Sequence, residues 1–134
     1  MWLLDTNIVS EMRKARPHGG VLAWMNRHER ADLYISAATI GEIQVGIERS
    51  RKANPAKAVE IEAWLDTFAA DDRILPADGA VFRRWAKLMA GRSPGLTMDA
   101  MIAATADIHG LTVATRNVRD FEALGLKVEN PFDG

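Results

Sequence analysis

Short apolar runs alternate with amphipathic stretches along the chain, and their order predicts strands and helices in turn from one end to the other. Trp2-Leu3-Leu4 is a brief apolar run halted by Asp5-Thr6-Asn7, residue types that end a strand and begin a helix. A turn follows with Arg13, Lys14, Arg16, Pro17 and Gly19-Gly20, and then Val21, Trp24, Met25 and His28 recur at helical spacing. Leu33 to Ser36 reads as the second strand, and Ile40, Ile43 and Ile47 line one face of a helix over 39–48. From Pro55, the apolar face Ile61, Trp64, Leu65 and Phe68 opposes Lys57, Glu60, Glu62 and Asp66, the clearest amphipathic helix of the chain.

The second half repeats the alternation. Arg73-Ile74-Leu75 is a short apolar run closed by Pro76, and Asp78 caps a helix carrying Val81, Trp85 and Leu88, with Arg83, Arg84 and Lys87 on its exposed flank. Residues 91–97 have loop chemistry. An alanine-rich helix over 97–109 then stops at Gly110, and its small side chains permit close packing against a sheet. Leu111 to Thr115 is the best strand, Asn117 to Leu124 a short helix stopped by Gly125, and Leu126 to Glu129 a closing strand. Strands alternating with helices predict an α/β fold with a central, mainly parallel sheet and helices on both faces.

With 134 residues, this is one domain over 1–134, without repeats or low-complexity segments. Its 48% hydrophobic and 26% charged residues suit an ordinary packed core and exclude a disordered chain. No apolar run approaches the roughly 20 residues of a membrane helix, and Asp5 interrupts the stretch a signal peptide would need, so a cytoplasmic protein without membrane contact is expected. Cysteine is absent, which removes thiol nucleophiles, thiolate zinc sites, iron-sulfur clusters and disulfides together. His18, His28 and His109 have no metal-ligand spacing and read as surface or capping residues. Any metal must therefore sit on oxygen.

Net charge is −1, so the balance favours no partner, but its distribution is uneven. Residues 1–52 carry eight basic and six acidic side chains, whereas 53–80 carry two and six. Two basic stretches are available to a polyanion, Arg13, Lys14, Arg16, Arg27 and Arg30, or Arg49, Arg51 and Lys52, and solvated helix faces explain them equally well.

Four acids stand at strand-helix junctions: Asp5, Glu42, Asp99 and Asp120. Each alone has a capping explanation, since Thr39-x-x-Glu42 and Asn117-x-x-Asp120 fit capping boxes and Asp99 falls in the first turn after Thr97. Together they say more. Crossover helices run antiparallel to their strands, so all four acids fall on the carboxyl edge of the sheet, where open α/β folds place ligands. Carboxylates crowded there repel one another unless a cation is bound, and a hard oxygen donor set selects Mg²⁺ or Mn²⁺. A carboxylate-held divalent ion in an open cleft suits hydrolysis of a phosphodiester. No Walker A loop, GxGxxG fingerprint or GxSxG elbow supports nucleotide-triphosphate, dinucleotide or serine hydrolase chemistry.

A family likeness rests on four segments in order: Leu3-Leu4-Asp5-Thr6-Asn7-Ile8, Glu42 beyond the second strand, Asp99-Ala100-Met101-Ile102-Ala103-Ala104-Thr105-Ala106, and His109-Gly110-Leu111 followed by Thr115-Arg116-Asn117-Val118-Arg119-Asp120-Phe121. The combination covers essentially the whole chain and resembles a PIN domain of the VapC toxin type. The resemblance implies a PIN-like fold and a Mg²⁺-dependent endoribonuclease acting on an RNA substrate, a structured RNA such as tRNA. It also implies a homodimer, neutralised by a cognate antitoxin through which the complex binds operator DNA. Carried over by residue, Asp5, Glu42 and Asp99 match the family's acidic triad, with Asp5 and Asp99 as metal ligands. Asp120 matches the acid of the last segment, completing the pocket or serving a second ion. Asn117 is an amide where some relatives carry an acid, and can bond or coordinate without adding charge. Thr6 and Thr115 are candidates to position water or phosphate.

Two other classes stand against this reading. A phosphoacceptor receiver domain has the same size and an acidic Mg²⁺ pocket, but expects a paired acid after the first strand and a lysine after a late one. Here Asp5 is followed by Thr6 and Asn7, and Thr115 by Arg116 and Asn117. A non-catalytic module that only holds an antitoxin is disfavoured by the presence of all four acids.

Overall fold

A computed structural model describes residues 1–133, with elements in the order β1 (Trp2–Leu4), α1 (Thr6–Glu11), α2 (Gly19–Arg27), β2 (Leu33–Ser36), α3 (Ala37–Ala53), α4 (Pro55–Asp66), β3 (Ile74–Leu75), α5 (Gly79–Met89), α6 (Thr97–His109), β4 (Thr112–Ala114), α7 (Val118–Ala123) and β5 (Val128–Glu129). The strand order is β3-β2-β1-β4-β5, and every pairing is parallel, so the expected mainly parallel sheet is wholly so. β1 is the centre. Leu3 pairs with Tyr34 on one side and Val113 on the other, and Leu4 with Ile35 and Ala114.

Alternation along the strands divides the core in two. Leu3 and Val113 pack with Val81, Leu88, Ile102 and Phe121 under α5, α6 and α7. Leu4 and Ala114 face the other way, onto Ile8, Trp24, Ile47 and Leu65 from α1 to α4. Helices thus cover both faces, which is why the strands read as short continuous apolar runs rather than alternating ones.

Several boundaries differ from the expectation. α3 begins at Ala37 rather than at residue 39, because Ser36 both ends β2 and caps the helix, its Oγ accepting from Ala38 N–H at 3.0 Å. The helix also continues to Ala53. The strands at the far end are shorter than predicted, three residues in β4 and two in β5. Gly110 closes α6 in the left-handed region at φ +66°, where a side chain would be strained. Arg84, expected on an exposed flank, is half-buried, with Nε 2.7 Å from Asp107 Oδ2.

The C-terminal edge is tied back to the centre. Glu129 of β5 accepts from the indole N–H of both Trp2 and Trp24, each at 2.8 Å, and the His28 ring packs 4.1 Å and 4.2 Å from the same two indoles. His18 caps α2, its Nδ1 accepting from Gly20 N–H at 3.0 Å, and its ring meets Phe132 at 5.0 Å. The chain visits β2 and β3 on one side of β1, then β4 and β5 on the other, so the direction reverses at β1 and β4. Asp5 follows the first of these strands and Thr115 the second.

Candidate active site

The site is assembled from the residues immediately beyond the strand ends. Asp5 leaves β1 buried, 3% exposed, with both carboxylate oxygens occupied. Thr6 N–H donates to Oδ1 at 2.7 Å, while the Thr115 hydroxyl at 2.7 Å and Asn7 Nδ2 at 3.2 Å donate to Oδ2. Three donors from both sides of the β1-β4 junction fix this carboxylate in one orientation. Thr115, fully buried, also accepts from Asn117 N–H at 2.9 Å, so one hydroxyl joins Asp5 to the start of α7.

A second chain of hydroxyls holds Glu42 in the second turn of α3. Thr6 Oγ1 donates to Glu42 Oε1 at 2.7 Å and lies 3.0 Å from Thr39 Oγ1. Because the single Thr6 proton goes to Glu42, the buried Thr39 hydroxyl donates to Thr6. Asp99 sits in the first turn of α6, half-buried. Asp120, in the first turn of α7, is exposed on the rim with Asn117.

The side-chain cap bonds expected at α3, α6 and α7 are not made where the spacing placed them, although Asp99 and Asp120 do lie in first turns, where the helix dipole favours an acid. Thr39 is inside α3 and Ser36 is its cap, Leu96 precedes α6 without a side-chain cap bond, and Asn117 makes none at α7. Only Asp5 caps its helix. Glu42, Asp99 and Asp120 therefore stand at the carboxyl edge without capping their own helices.

Their electrostatics are those of one cluster. Burial pushes the Asp5 carboxyl above its ordinary range, against the pull of its bonds from Thr115, Thr6 and Asn7. Burial also raises Glu42, which the Thr6 hydroxyl draws down and the Asp5 charge lifts further. Asp99 is pushed up to about 6, first by burial and then by the charges of Asp5, Asp120 and Glu42. Asp99 thus feels all three other acids. Among the described residues, none of the four is in an ion pair.

Such a group, all oxygen, mutually repelling and without a counterion, fits a hard divalent cation. Among the described residues, no three His, Asp or Glu side chains close tightly enough to hold an ion alone. The donor set is open, which suits an ion of the Mg²⁺ class that keeps several waters and takes one or two carboxylates together with substrate phosphate. Asn7 and Thr39 are the contributors that sequence reading passed over as site residues. Asn7 is signalled by its place directly after Asp5-Thr6, whereas Thr39 has no sequence signal, since its role depends on the turn by which α3 approaches α1.

Comparison with known proteins agrees with this geometry. The PIN domain profile matches residues 2–126. The chain is 39% identical to VapC ribonuclease Y4jK of Sinorhizobium fredii across 99% of both chains, and 36% identical to toxin FitB of Neisseria gonorrhoeae across 98% of this chain and 99% of that one. Among solved structures, FitAcB from Neisseria gonorrhoeae superposes with a TM-score of 0.84 at 34% identity, covering 98% of this chain and 99% of the other. FitAB bound to an IR36 DNA fragment gives 0.72 at 31%, covering 98% and 96%. With a profile match over residues 2–126 and relatives such as VapC ribonuclease Y4jK matched nearly end to end, this chain belongs to the PIN domain family, in its VapC-like branch.

Proposed function

We propose that the protein is the toxin of a toxin-antitoxin pair, an endoribonuclease that hydrolyses RNA phosphodiester bonds with a divalent metal, Mg²⁺ or Mn²⁺. The observation that carries this reading is the gathering of four acids just beyond the strand ends, with the Asp5 carboxylate fixed by Thr6, Asn7 and Thr115 and Glu42 held by Thr6. The relatives named a ribonuclease and a toxin support the reaction class. When bound by Asp5 and Asp99, the ion would polarise the scissile phosphate and lower the pKa of the attacking water.

The chain's own residues do the rest. Asp5 is immobilised by Thr6, Asn7 and Thr115, so its free lone pairs point one way. Glu42, steered through Thr6 by Thr39, is suited to orient the water and accept its proton, and Asp99 can orient the same water. Asp120 and Asn117 complete the outer wall.

FitAB on DNA is a toxin-antitoxin complex, which supports a cognate antitoxin as partner and operator DNA reached through that complex. A homodimer working in the cytoplasm belongs to the same proposal. Among the described residues, no helix is long and apolar enough to cross a membrane.

The test is incubation of antitoxin-free protein with total bacterial RNA in Mg²⁺ or Mn²⁺, with EDTA and Asp5→Asn as controls and new ends mapped by sequencing. Discrete metal-dependent cuts that vanish in a folded Asp5→Asn protein are expected. Intact RNA with folded, antitoxin-free protein would reject the reading.

A further inference from the structure

An open cleft of about 700 Å³ lies beside Asp120, the outermost of the four acids, walled by Arg116, Asn117, Arg119, Asp120 and Asn130. It contains neither of the basic stretches singled out in the sequence. In those stretches Lys14 is engaged by Glu11, Arg30 by Asp71 and Arg51 by Glu48 and Glu62. Arg13, Arg16, Arg27, Arg49 and Lys52 of those stretches form no ion pair among the described residues, and neither do Arg116 and Arg119, so what sets Arg116 apart is its placing.

The backbone of Arg116 is tied to the acidic site. Its backbone N–H donates to Asn7 Oδ1 at 3.3 Å, and the same Asn7 donates through Nδ2 to Asp5. Its guanidinium carbon lies 4.4 Å from the centre of the Phe132 ring. Phe132 is itself held, by the His18 ring at 5.0 Å and by its N–H donating to Asn130 Oδ1 at 3.0 Å. Stacking occupies the face of the guanidinium and leaves its N–H edges available, the geometry that receives a phosphate through two parallel bonds.

From this we infer that Arg116, laid on Phe132, clamps an RNA phosphate adjacent to the scissile one and so sets the register of the strand over Asp5 and Asp99. The inference rests on the nuclease reading and assigns Arg116 as a positioning residue, with Phe132 as its platform. A diffuse positive field cannot do this work. Glu122 and Asp133 share the cleft with Asp120, so its acids outnumber its two arginines, and a strand held there needs a directed contact.

The experiment compares wild type, Arg116→Ala, Arg116→Lys and Phe132→Leu on an RNA oligonucleotide spanning a mapped cut, with KM and kcat measured over a range of salt and unfolding midpoints as a control. In Arg116→Ala, KM rises about tenfold or more with a smaller change in kcat, and the dependence of log kcat/KM on log salt becomes shallower by about 0.7 to 1. Arg116→Lys restores the slope without restoring KM, because a point charge lacks the fork. Phe132→Leu keeps the slope and raises KM. Wild-type KM and slope in Arg116→Ala, or a loss confined to kcat, would overturn the clamp while leaving the nuclease intact. Failure of the wild type to cut any RNA would overturn both.

Discussion

Replacing Asp99 by Asn should make the metal-free protein more stable while ending its activity. The Asp99 carboxyl stands at about 6 in the folded chain, against an ordinary 3.8, so the fold binds this proton more tightly than the unfolded chain does. Stability associated with the group is therefore complete below pH 3.8 and is lost as pH rises toward 6, after which it stays lost. A shift of this size corresponds to about 3 kcal/mol at most, and partial solvent access of the side chain reduces that to about 1–2 kcal/mol. Asn removes the charge and keeps the shape. In EDTA at pH 7.5, Asp99→Asn should unfold at a midpoint higher by several degrees, about 3–6 °C for each kcal/mol in a chain of this length. The gain should shrink to about half at pH 4.5, where much of the wild-type carboxyl is protonated. Thermal or urea unfolding of both proteins from pH 4.5 to 8 reads this directly. A variant no more stable than wild type at pH 7.5, or a gain independent of pH, would refute the electrostatic reasoning. Added Mg²⁺ should narrow the gap, since a cation compensates the wild-type charge and finds one ligand fewer in the variant.

Thr115→Val should cost about 1–3 kcal/mol, because it leaves a buried carboxylate and the Asn117 N–H without their shared partner. It should also move the acid limb of the pH–rate profile upward, since Asp5 loses a bond that holds its carboxyl down; an unchanged limb would separate Thr115 from the site. Glu129→Leu should lower the urea midpoint by a similar amount, as the indole N–H of buried Trp24 loses its acceptor, and a midpoint equal to wild type would show that the clasp on β5 adds nothing.

How far the sequence reached depends on which facts are local. The alternation of short apolar runs and amphipathic stretches is local, and it carried the parallel sheet, its two helical layers and the placing of all four acids on one edge. The capping expectations were local too, and they held at Asp78, which accepts from Val81 N–H, but misled at Thr39-x-x-Glu42: the spacing is right, yet Ser36 lies three residues earlier and takes the cap, leaving Thr39 to turn its hydroxyl to Thr6. Charge patches were the least readable. Arg51 has a local partner in Glu48, three residues earlier, but its second bond, to Glu62 of the next helix, and the seating of Arg116 on Phe132 join segments with no signal in the neighbouring residues. The same separation hides the Trp2, Trp24 and Glu129 clasp, which unites residues 127 and 105 positions apart.

The central position of β1 has a consequence for synthesis. Its partners come from opposite ends of the remaining chain, and the hydroxyl that orients Asp5 arrives 110 residues later. A nascent polypeptide that has emerged through α6 holds Asp5, Glu42 and Asp99 but has neither β4 to flank the central strand nor Thr115 to aim the first carboxylate. The four acids can therefore be brought into their final arrangement only when nearly the whole domain is outside the ribosome, and a chain terminated before Thr115 lacks the bond that aims Asp5.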